Sequence, residues 1–410
     1  MGPNGRLSIA GVDVVDLADE FGTPLFVYDE GHLRSRCREA AASWGEGVAY
    51  AAKAFFCRAM AALATEEGMC LDVATEGELR VATSAGVDPS RLILHGNNKL
   101  PSELEEAVRL GVRRVVIDSF EEIDRLESIA ERQGRRVPVL LRITPGVEAH
   151  THAYITTGTD DSKFGFGLSS GAASEALGRL ARSPRLDLVG LHAHIGSQVF
   201  RVDAFEQAVE VLARFFNPLG LEELCVGGGL GVAYVSGEET PSITSWADAV
   251  HKAAAASGIA SGTRITAEPG RAIAAAAAVT VYQVGVIKEL PGIRTYAAVD
   301  GGMSDNPRPV LYGSGYEGFL PRETNAVRDR PVRVVGRHCE SGDVIVHQAM
   351  VPSDMVVGDY LATPVTGAYG YSMASTYNRV PRPPVVFVSN GNARVVLRRE
   401  TVDDLLYLEP

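Results

Sequence analysis

The sequence predicts an α/β chain with an added β domain: a (β/α)8 TIM-type barrel carrying a C-terminal antiparallel β domain. Three observations carry this reading. Between about Gly47 and Arg271, short β-branched runs alternate with longer stretches of helical period. The short runs number eight, the strand count of a closed parallel barrel. After Arg271 the helical period fades, and short β-rich runs punctuated by Gly and Pro take over. An open doubly wound sheet is the competing architecture for the alternating part.

In chain order, the expected barrel strands are VAYAAK (48–53), CLDVAT (70–75), LILHG (92–96), RVVIDS (114–119), PVLLRI (138–143), LVGLHAHIG (188–196), ELCVGGG (223–229) and RITAEPG (264–270). Segments such as SELEEAVRLG, FEEIDRLESIAERQG and AFEQAVEVLARFF lie between them, with apolar residues recurring at three and four. Beyond residue 275 come VTVYQVGV, RTYAAVD, RPVRVVG, DYLATPV, PPVVFVS and ARVVLRR, then a short helical TVDDLLYL. The opening LSIAGVDVVDLADEFGTPLFVYD adds a strand to that domain and makes it discontinuous. The expected division is 30–275 for the barrel and 1–29 with 276–410 for the β domain.

Composition limits the function. A chain of 410 residues, 46% hydrophobic and 22% charged, can bury a sizeable core and fill two or three domains. The net charge of −12 argues against a nucleic-acid or anionic-membrane surface, since both need clustered positive charge. The five cysteines, Cys37, Cys57, Cys70, Cys225 and Cys339, form no CxxC pair, which disfavours a disulfide framework or a structural zinc site. The first eleven residues lack a secretory pattern, and the apolar run from Ala272 to Ile287 is too short for a membrane helix. A reduced, soluble, cytoplasmic protein is expected.

Active sites of barrels sit at the C-terminal ends of the strands. The first strand ends in Lys53. The second carries Asp72, with Glu78 a helical turn on. The third carries His95, Asn97 and Asn98. The sixth carries His192, His194 and Ser197. The seventh runs into Gly227, Gly228, Gly229 and Gly231, and the eighth into Glu268, Gly270 and Arg271. Each has a bland reading. Lys53 lies between apolar residues and either snorkels or, desolvated, forms a Schiff base. GGGLG is either a tight turn or a phosphate cradle of bare backbone N–H groups. Asp72 is either a helix N-cap or a site carboxylate, and His194 either a core histidine or a functional one. Glu268, at the end of a buried strand, needs a donor partner. Together they suit pyridoxal 5'-phosphate: an amine for the aldehyde, glycines and Ser197 for the phosphate, an imidazole against the ring and a carboxylate for its nitrogen.

At this point the strings YAAKAF, LDVATEGEL, LHGNNK, KFGFGL, LHAHIGSQ, GGGLG, EPGR, VDGGMSDNPRPVLYG, CESGD and GAYGYSMASTYN can be taken together. In that order, and over nearly the whole chain, they resemble the fold-type III pyridoxal-phosphate-dependent amino-acid decarboxylases, in particular the bacterial diaminopimelate decarboxylase branch. The resemblance implies decarboxylation of meso-diaminopimelate to L-lysine by a homodimer with shared active sites, with no metal. It implies that Lys53 carries the cofactor and His194 stacks on its ring. Asp72, Ser197, Gly229, Gly270, Arg271 and Tyr369 join the cofactor site, and Glu268 meets the ring nitrogen. It implies that Cys339, from the other subunit, protonates the carbanion. Arg271, Arg308 and Tyr312, with Tyr369, clamp the substrate's distal carboxylate, and Glu340 reads its distal ammonium. Cys225 and Val226, before the triple glycine, depart from the acidic and apolar residues frequent there. The rivals are a paralogue acting on a related amino acid and a catalytically silent binding homologue; the latter predicts loss of Lys53, Glu268 or Cys339, all of which are present.

Overall fold

The computed structural model describes residues 5–146 and 161–410, arranged as two compact units. One comprises residues 34–232 and 239–272; the other comprises residues up to 33, 233–238 and 273–410.

The first unit is the barrel. Its strands are Ala49–Ala51, Cys70–Val73, Leu92–Leu94, Arg114–Ile117, Val137–Thr144, Leu186–Ala193, Glu223–Cys225 and Arg264–Thr266, parallel neighbours in that order. The ring closes where the Ala49 N–H donates to Ala267 O at 3.0 Å and the Ala51 N–H to Pro269 O at 3.2 Å. A closed ring leaves no strand edge unpaired, which the open-sheet alternative would have done. A short strand, Phe166–Gly167, adds to the end of the fifth.

The helices between the strands start where local chemistry starts them. Thr75, Ser119 and Ser242 cap Glu76–Ser84, Phe120–Arg132 and Ile243–Ala256 by accepting a backbone N–H three residues on. Pro101 opens Pro101–Leu110, and Gly111 ends it in the left-handed conformation. Inside the ring, Ala49, Cys70, Ile93, Val116, Leu140 and Cys225 pack together, one from each of six strands. Small residues among branched ones let side chains fill so narrow a cylinder. Cys225 is therefore a core residue of the barrel, beneath the glycine loop.

The second unit is built on a sheet in the order 344–351, 330–335, 294–299, 278–290, 25–29, 385–389, 392–397, with 360–364 also pairing with 278–290. The N-terminal strand Leu25–Asp29 does enter it, antiparallel to 278–281 and parallel to 385–388. The sheet is mixed where an antiparallel one was expected, because 294–299 also runs parallel to 330–335. Partners brought from distant parts of the chain are not bound by hairpin geometry, so either direction is open to them. Val14, Leu17, Leu25, Val27, Val281, Val386 and Val388 form a core of this unit.

Candidate active site

The strand ends of the barrel bring charged and aromatic side chains into a buried cluster. Glu268 follows the eighth strand and is 5% exposed. His192, on the sixth strand, holds Nε2 at 3.0 Å from Glu268 Oε2. His95, after the third, holds Nε2 at 2.9 Å from Oε1 and 3.6 Å from Asp72 Oδ1. Asp72 lies inside its strand, and Thr75 takes the capping role, so the N-cap reading of Asp72 is wrong. Its companion Glu78 accepts the Ala74 N–H at 2.6 Å.

Electrostatics separates these groups. Burial pushes Glu268 up, yet the two histidines outweigh it and hold the carboxyl well below its usual range. Burial pushes Asp72 up, against the pull of His95 and Lys53. Burial lowers His95 too, but Asp72 and Glu268 more than reverse this, and it favours the imidazolium. His192 falls to about 4, through burial, against the pull of Glu268. His194 falls well below its usual value, through burial and then the charges of Lys53, Arg142 and His192. The Gly228 N–H donates to His194 Nδ1 at 3.1 Å, which places the proton of a neutral ring on Nε2.

Lys53 sits in a short 3-10 turn, Ala52–Ala54, beyond the end of the first strand. It is exposed, which fits the snorkelling alternative and not the desolvated one: the turn swings it out of the apolar run that surrounds it in sequence. Lys99 is its opposite. It is 1% exposed, and its ammonium donates to Gly96 O, Val116 O and Glu122 Oε1 at 2.6–2.7 Å, so all three protons are used.

The glycine run passes between the loops after the sixth and eighth strands. A Cβ on Gly228 would stand 2.2 Å from Glu268 O, and one on Gly229 would stand 2.2 Å from Gly196 O. Gly227 and Gly229 also have φ of +69° and +119°. Only glycine fits this path. Beside it Arg271, 8% exposed, donates to Ser197 Oγ at 2.9 Å. Gly270 packs on Ala51 and Ala54, where a Cβ would be tight. Asn97 and Asn98 are exposed.

Two site residues went unread in the sequence. Arg142, two residues before the fifth strand ends at Thr144, pairs with Asp118 Oδ2 at 3.3 Å and lies 4.2 Å over the Phe164 ring. Asp118 follows the fourth strand and also accepts the Gly165 N–H at 2.8 Å. The inspection of strand ends that singled out Glu268 applies equally to RVVIDS and PVLLRI.

The second unit carries the remaining candidates. Arg308, 4% exposed, donates to the Tyr316 hydroxyl at 2.6 Å and stands 3.9 Å over the Tyr234 ring. These contacts are aromatic, and its Nε has no hydrogen-bond partner among the described residues. Tyr312, half-buried, closes the same short helix, Arg308–Tyr312. Cys339 is the exposed cysteine; the other four are buried. Its loop is anchored by His338, whose ring meets Asn378 Oδ1 at 3.0 Å and Ser304 Oγ at 2.8 Å, and by Asp343, which accepts the His338 and Met303 N–H groups. Glu340 accepts a hydrogen bond from Tyr377. Tyr369 has φ of +57°, a conformation a tyrosine rarely adopts.

In the barrel unit, an amine, a neutral imidazole, a buried carboxylate and a stretch of backbone that tolerates no side chain form a set able to hold an aromatic aldehyde bearing a phosphate. Comparison with known proteins agrees with this chemistry. Residues 30–275 match the model of the pyridoxal-dependent decarboxylase, pyridoxal binding domain. The chain is 48% identical to diaminopimelate decarboxylase of Mycobacterium tuberculosis, covering 99% of this chain and 95% of that one. It is 43% identical to that of Bacillus subtilis, with the same coverage. Among solved structures it is similar to diaminopimelate decarboxylase from M. jannaschi, with TM-score 0.94, 30% identity and coverage of 100% and 97%. It is also similar to the Helicobacter pylori protein complexed with L-lysine, with TM-score 0.88, 31% identity and coverage of 97% and 99%.

Proposed function

The chain belongs to the diaminopimelate decarboxylase family of pyridoxal-dependent decarboxylases, and from that membership we propose that it removes CO2 from meso-2,6-diaminopimelate to leave L-lysine, the last step of lysine biosynthesis. The single observation that carries the chemistry is Glu268, a buried carboxylate held ionised at a strand end by His95 and His192. Pyridoxal phosphate, when bound, supplies an electron sink for the pair left at Cα as CO2 departs.

Each residue then has a task. Lys53, exposed at the strand end, holds the cofactor through its aldehyde carbon. Neutral His194 would lie against the ring and Glu268 would keep its nitrogen protonated, with Asp72 beside His95 in the same network. Ser197, Gly229, Gly270, Arg271 and Tyr369 bind the phosphate. Arg308, buried between two tyrosine rings, takes the distal carboxylate as a charge-assisted partner, with Arg271, Tyr312 and Tyr369 completing the clamp. Glu340 takes the distal ammonium, and Cys339 delivers a proton to Cα. Binding energy gathered at the far end of the substrate orients the bond that breaks. L-lysine lacks the second carboxylate and would leave Arg308 buried without its partner, which penalises it.

The same proposal includes a homodimer in which Cys339 and Glu340 of one subunit complete the site of the other. It includes the domain boundaries 30–275 and 1–29 with 276–410. It includes a cytoplasmic location without nucleic-acid partners; in support, no helix among the described residues is long and apolar enough to cross a membrane, and the net charge is −12. The test is an assay of the purified holoenzyme on meso-diaminopimelate, L-lysine, L-ornithine and L-arginine, reading CO2 and amine. Turnover of diaminopimelate alone is expected, with borohydride fixing a pyridoxyl group on Lys53. Preference for another of the four, or a pyridoxyl group mapped to Lys163, overturns the reading.

A further inference from the structure

We propose that His95 and His192 are positioning residues for Glu268: each holds one oxygen of its carboxylate, and together they set where the proton shared between that carboxylate and a cofactor ring nitrogen resides. This rests on the reading that Glu268 faces the ring nitrogen of pyridoxal phosphate.

His192 hydrogen-bonds the carboxylate, whereas His95 meets it at ion-pair distance without hydrogen-bond alignment. Oε2 lies 3.0 Å from His192 Nε2, and Oε1 lies 2.9 Å from His95 Nε2. The two imidazoles meet edge to face, 5.0 Å between centroids. His192 is 1% exposed and His95 8%. Neither histidine can turn to water for an alternative partner without leaving a buried oxygen unmet.

The tautomer of His192 follows from its surroundings. Its Nδ1 has no hydrogen-bond partner among the described residues. A proton on Nδ1 would therefore be a buried donor with nothing to bind, and Nε2 would face Oε2 lone pair to lone pair at 3.0 Å. With the proton on Nε2, one good hydrogen bond forms, and the bare nitrogen left over is the less costly orphan. His95 differs. Its Nε2 faces Glu268 and, at 3.6 Å, Asp72, so two carboxylates favour its charged form. Arg142 and Lys53 are the other charges acting on this cluster.

The consequence concerns proton affinity. A buried carboxyl left alone takes up a proton, because burial penalises its charge. A carboxylic acid beside a neutral ring nitrogen is the wrong arrangement for an electron sink. The N–H donated by His192 and the positive charge of His95 each lower its proton affinity and move the shared proton towards the ring nitrogen. The two histidines thus act through Glu268, without touching substrate.

The experiment uses holoenzyme loaded with pyridoxal phosphate labelled with 15N in the ring, read by 15N NMR at neutral pH. Wild type is expected to show a protonated ring nitrogen, and Glu268→Gln a deprotonated one. His95→Leu and His192→Leu should move the resonance most of the way towards the Glu268→Gln position. Each should lower kcat on the order of tenfold, the loss expected when one charge-assisted contact goes. His192→Gln, whose amide can place an N–H near the lost Nε2–H, should restore both readings. Leucine variants with a wild-type resonance overturn the proposal, provided Glu268→Gln shifts it; the histidines then only fill space. An unshifted Glu268→Gln resonance instead removes the reading beneath it, and the proposal with it. A variant-free check guards against misfolding: in 15N-histidine-labelled wild type, His192 should be protonated at Nε2 and bare at Nδ1, and the reverse overturns the proposal.

Discussion

At the N-terminal ends of the barrel strands, Glu223 is 1% exposed and meets Arg114 at 3.2 Å and Arg264 at 3.3 Å. At the C-terminal ends, Glu268 is 5% exposed and meets two histidines at similar distances. Both are buried carboxylates with two nitrogen partners. Arginine keeps its proton throughout the physiological range, so the charges around Glu223 are permanent and the arrangement can only hold strands together. Histidine can give its proton up, so the arrangement around Glu268 can redistribute protons when a ligand arrives. The type of partner, more than burial or distance, separates a brace from a reaction centre. At the same end as Glu268, Lys53 is exposed while Lys99 spends every proton on the fold.

The largest effect should come from separating Lys53 from Cys339. Lys53→Ala and Cys339→Ala homodimers are each expected to lose decarboxylation nearly completely while remaining folded, since both residues are exposed. Denatured together and refolded with pyridoxal phosphate, they should regain activity at roughly a quarter of all sites. Half of the dimers are then mixed, and two-fold symmetry leaves one of the two sites in each free of lesions. A mixture as inactive as its parents, beside refolded wild type that recovers, would place both groups in one chain.

Next comes a buried cation without a carboxylate partner among the described residues. Arg308→Ala should lower kcat/KM for meso-diaminopimelate by about a hundredfold, the order expected when one member of a buried charge pair is removed, and leave the pyridoxal absorbance intact. Unaltered kinetics would class Arg308 with the braces, held only by Tyr234 and Tyr316.

Glu223→Gln probes the other end of the barrel. Breaking a buried ion pair costs ~3–5 kcal/mol, and Arg264, whose side chain is 33% exposed, recovers part of that through water. A loss of about 2–3 kcal/mol in urea unfolding is expected, with kcat unchanged. A variant that unfolds like wild type but turns over slowly would erase the distinction between the two ends.

The barrel was legible because eight short β-branched runs with helical spacers leave few alternatives, and its strand ends pointed directly to Lys53, His194 and Glu268. What escaped notice was pairing. Nothing in LILHG or EPGR states that His95 reaches Glu268, since that contact exists only once the ring has closed. Arg142 and Asp118 were missed although they too stand near strand ends. The burial of Lys53 stayed open in the sequence because the strand ends at Ala51, and the 3-10 turn that follows alters the facing of side chains. The capping alternative for Asp72 falls because Thr75, three residues later, is the cap. The parallel pairing of Leu25–Asp29 with Val385–Ser389 joins nearly the two ends of the chain, and no local signal encodes it.

Asp305 extends the contrast to an acid whose donors carry no charge. It accepts the Tyr282 hydroxyl and the Gly302 N–H, both at 2.9 Å, and is 2% exposed. Burial raises its pKa to about 7, against the help of these two donors. The unfolded carboxyl titrates near ~3.9. The folded value lies above the unfolded one, so the contribution of Asp305 to stability is fully present below about pH 4 and is lost as pH rises through about 7. Asp305→Asn cannot titrate. The difference in unfolding free energy, wild type minus variant, should therefore shrink between pH 5 and pH 8, by about 2–3 kcal/mol. Taking the difference cancels the remaining titrating groups, which both proteins share. Urea unfolding of the two proteins at those pH values measures it. A difference that stays constant, or grows with pH, would mean that neutral donors suffice to keep this carboxylate ionised in the fold, and that the histidines around Glu268 are not what sets it apart.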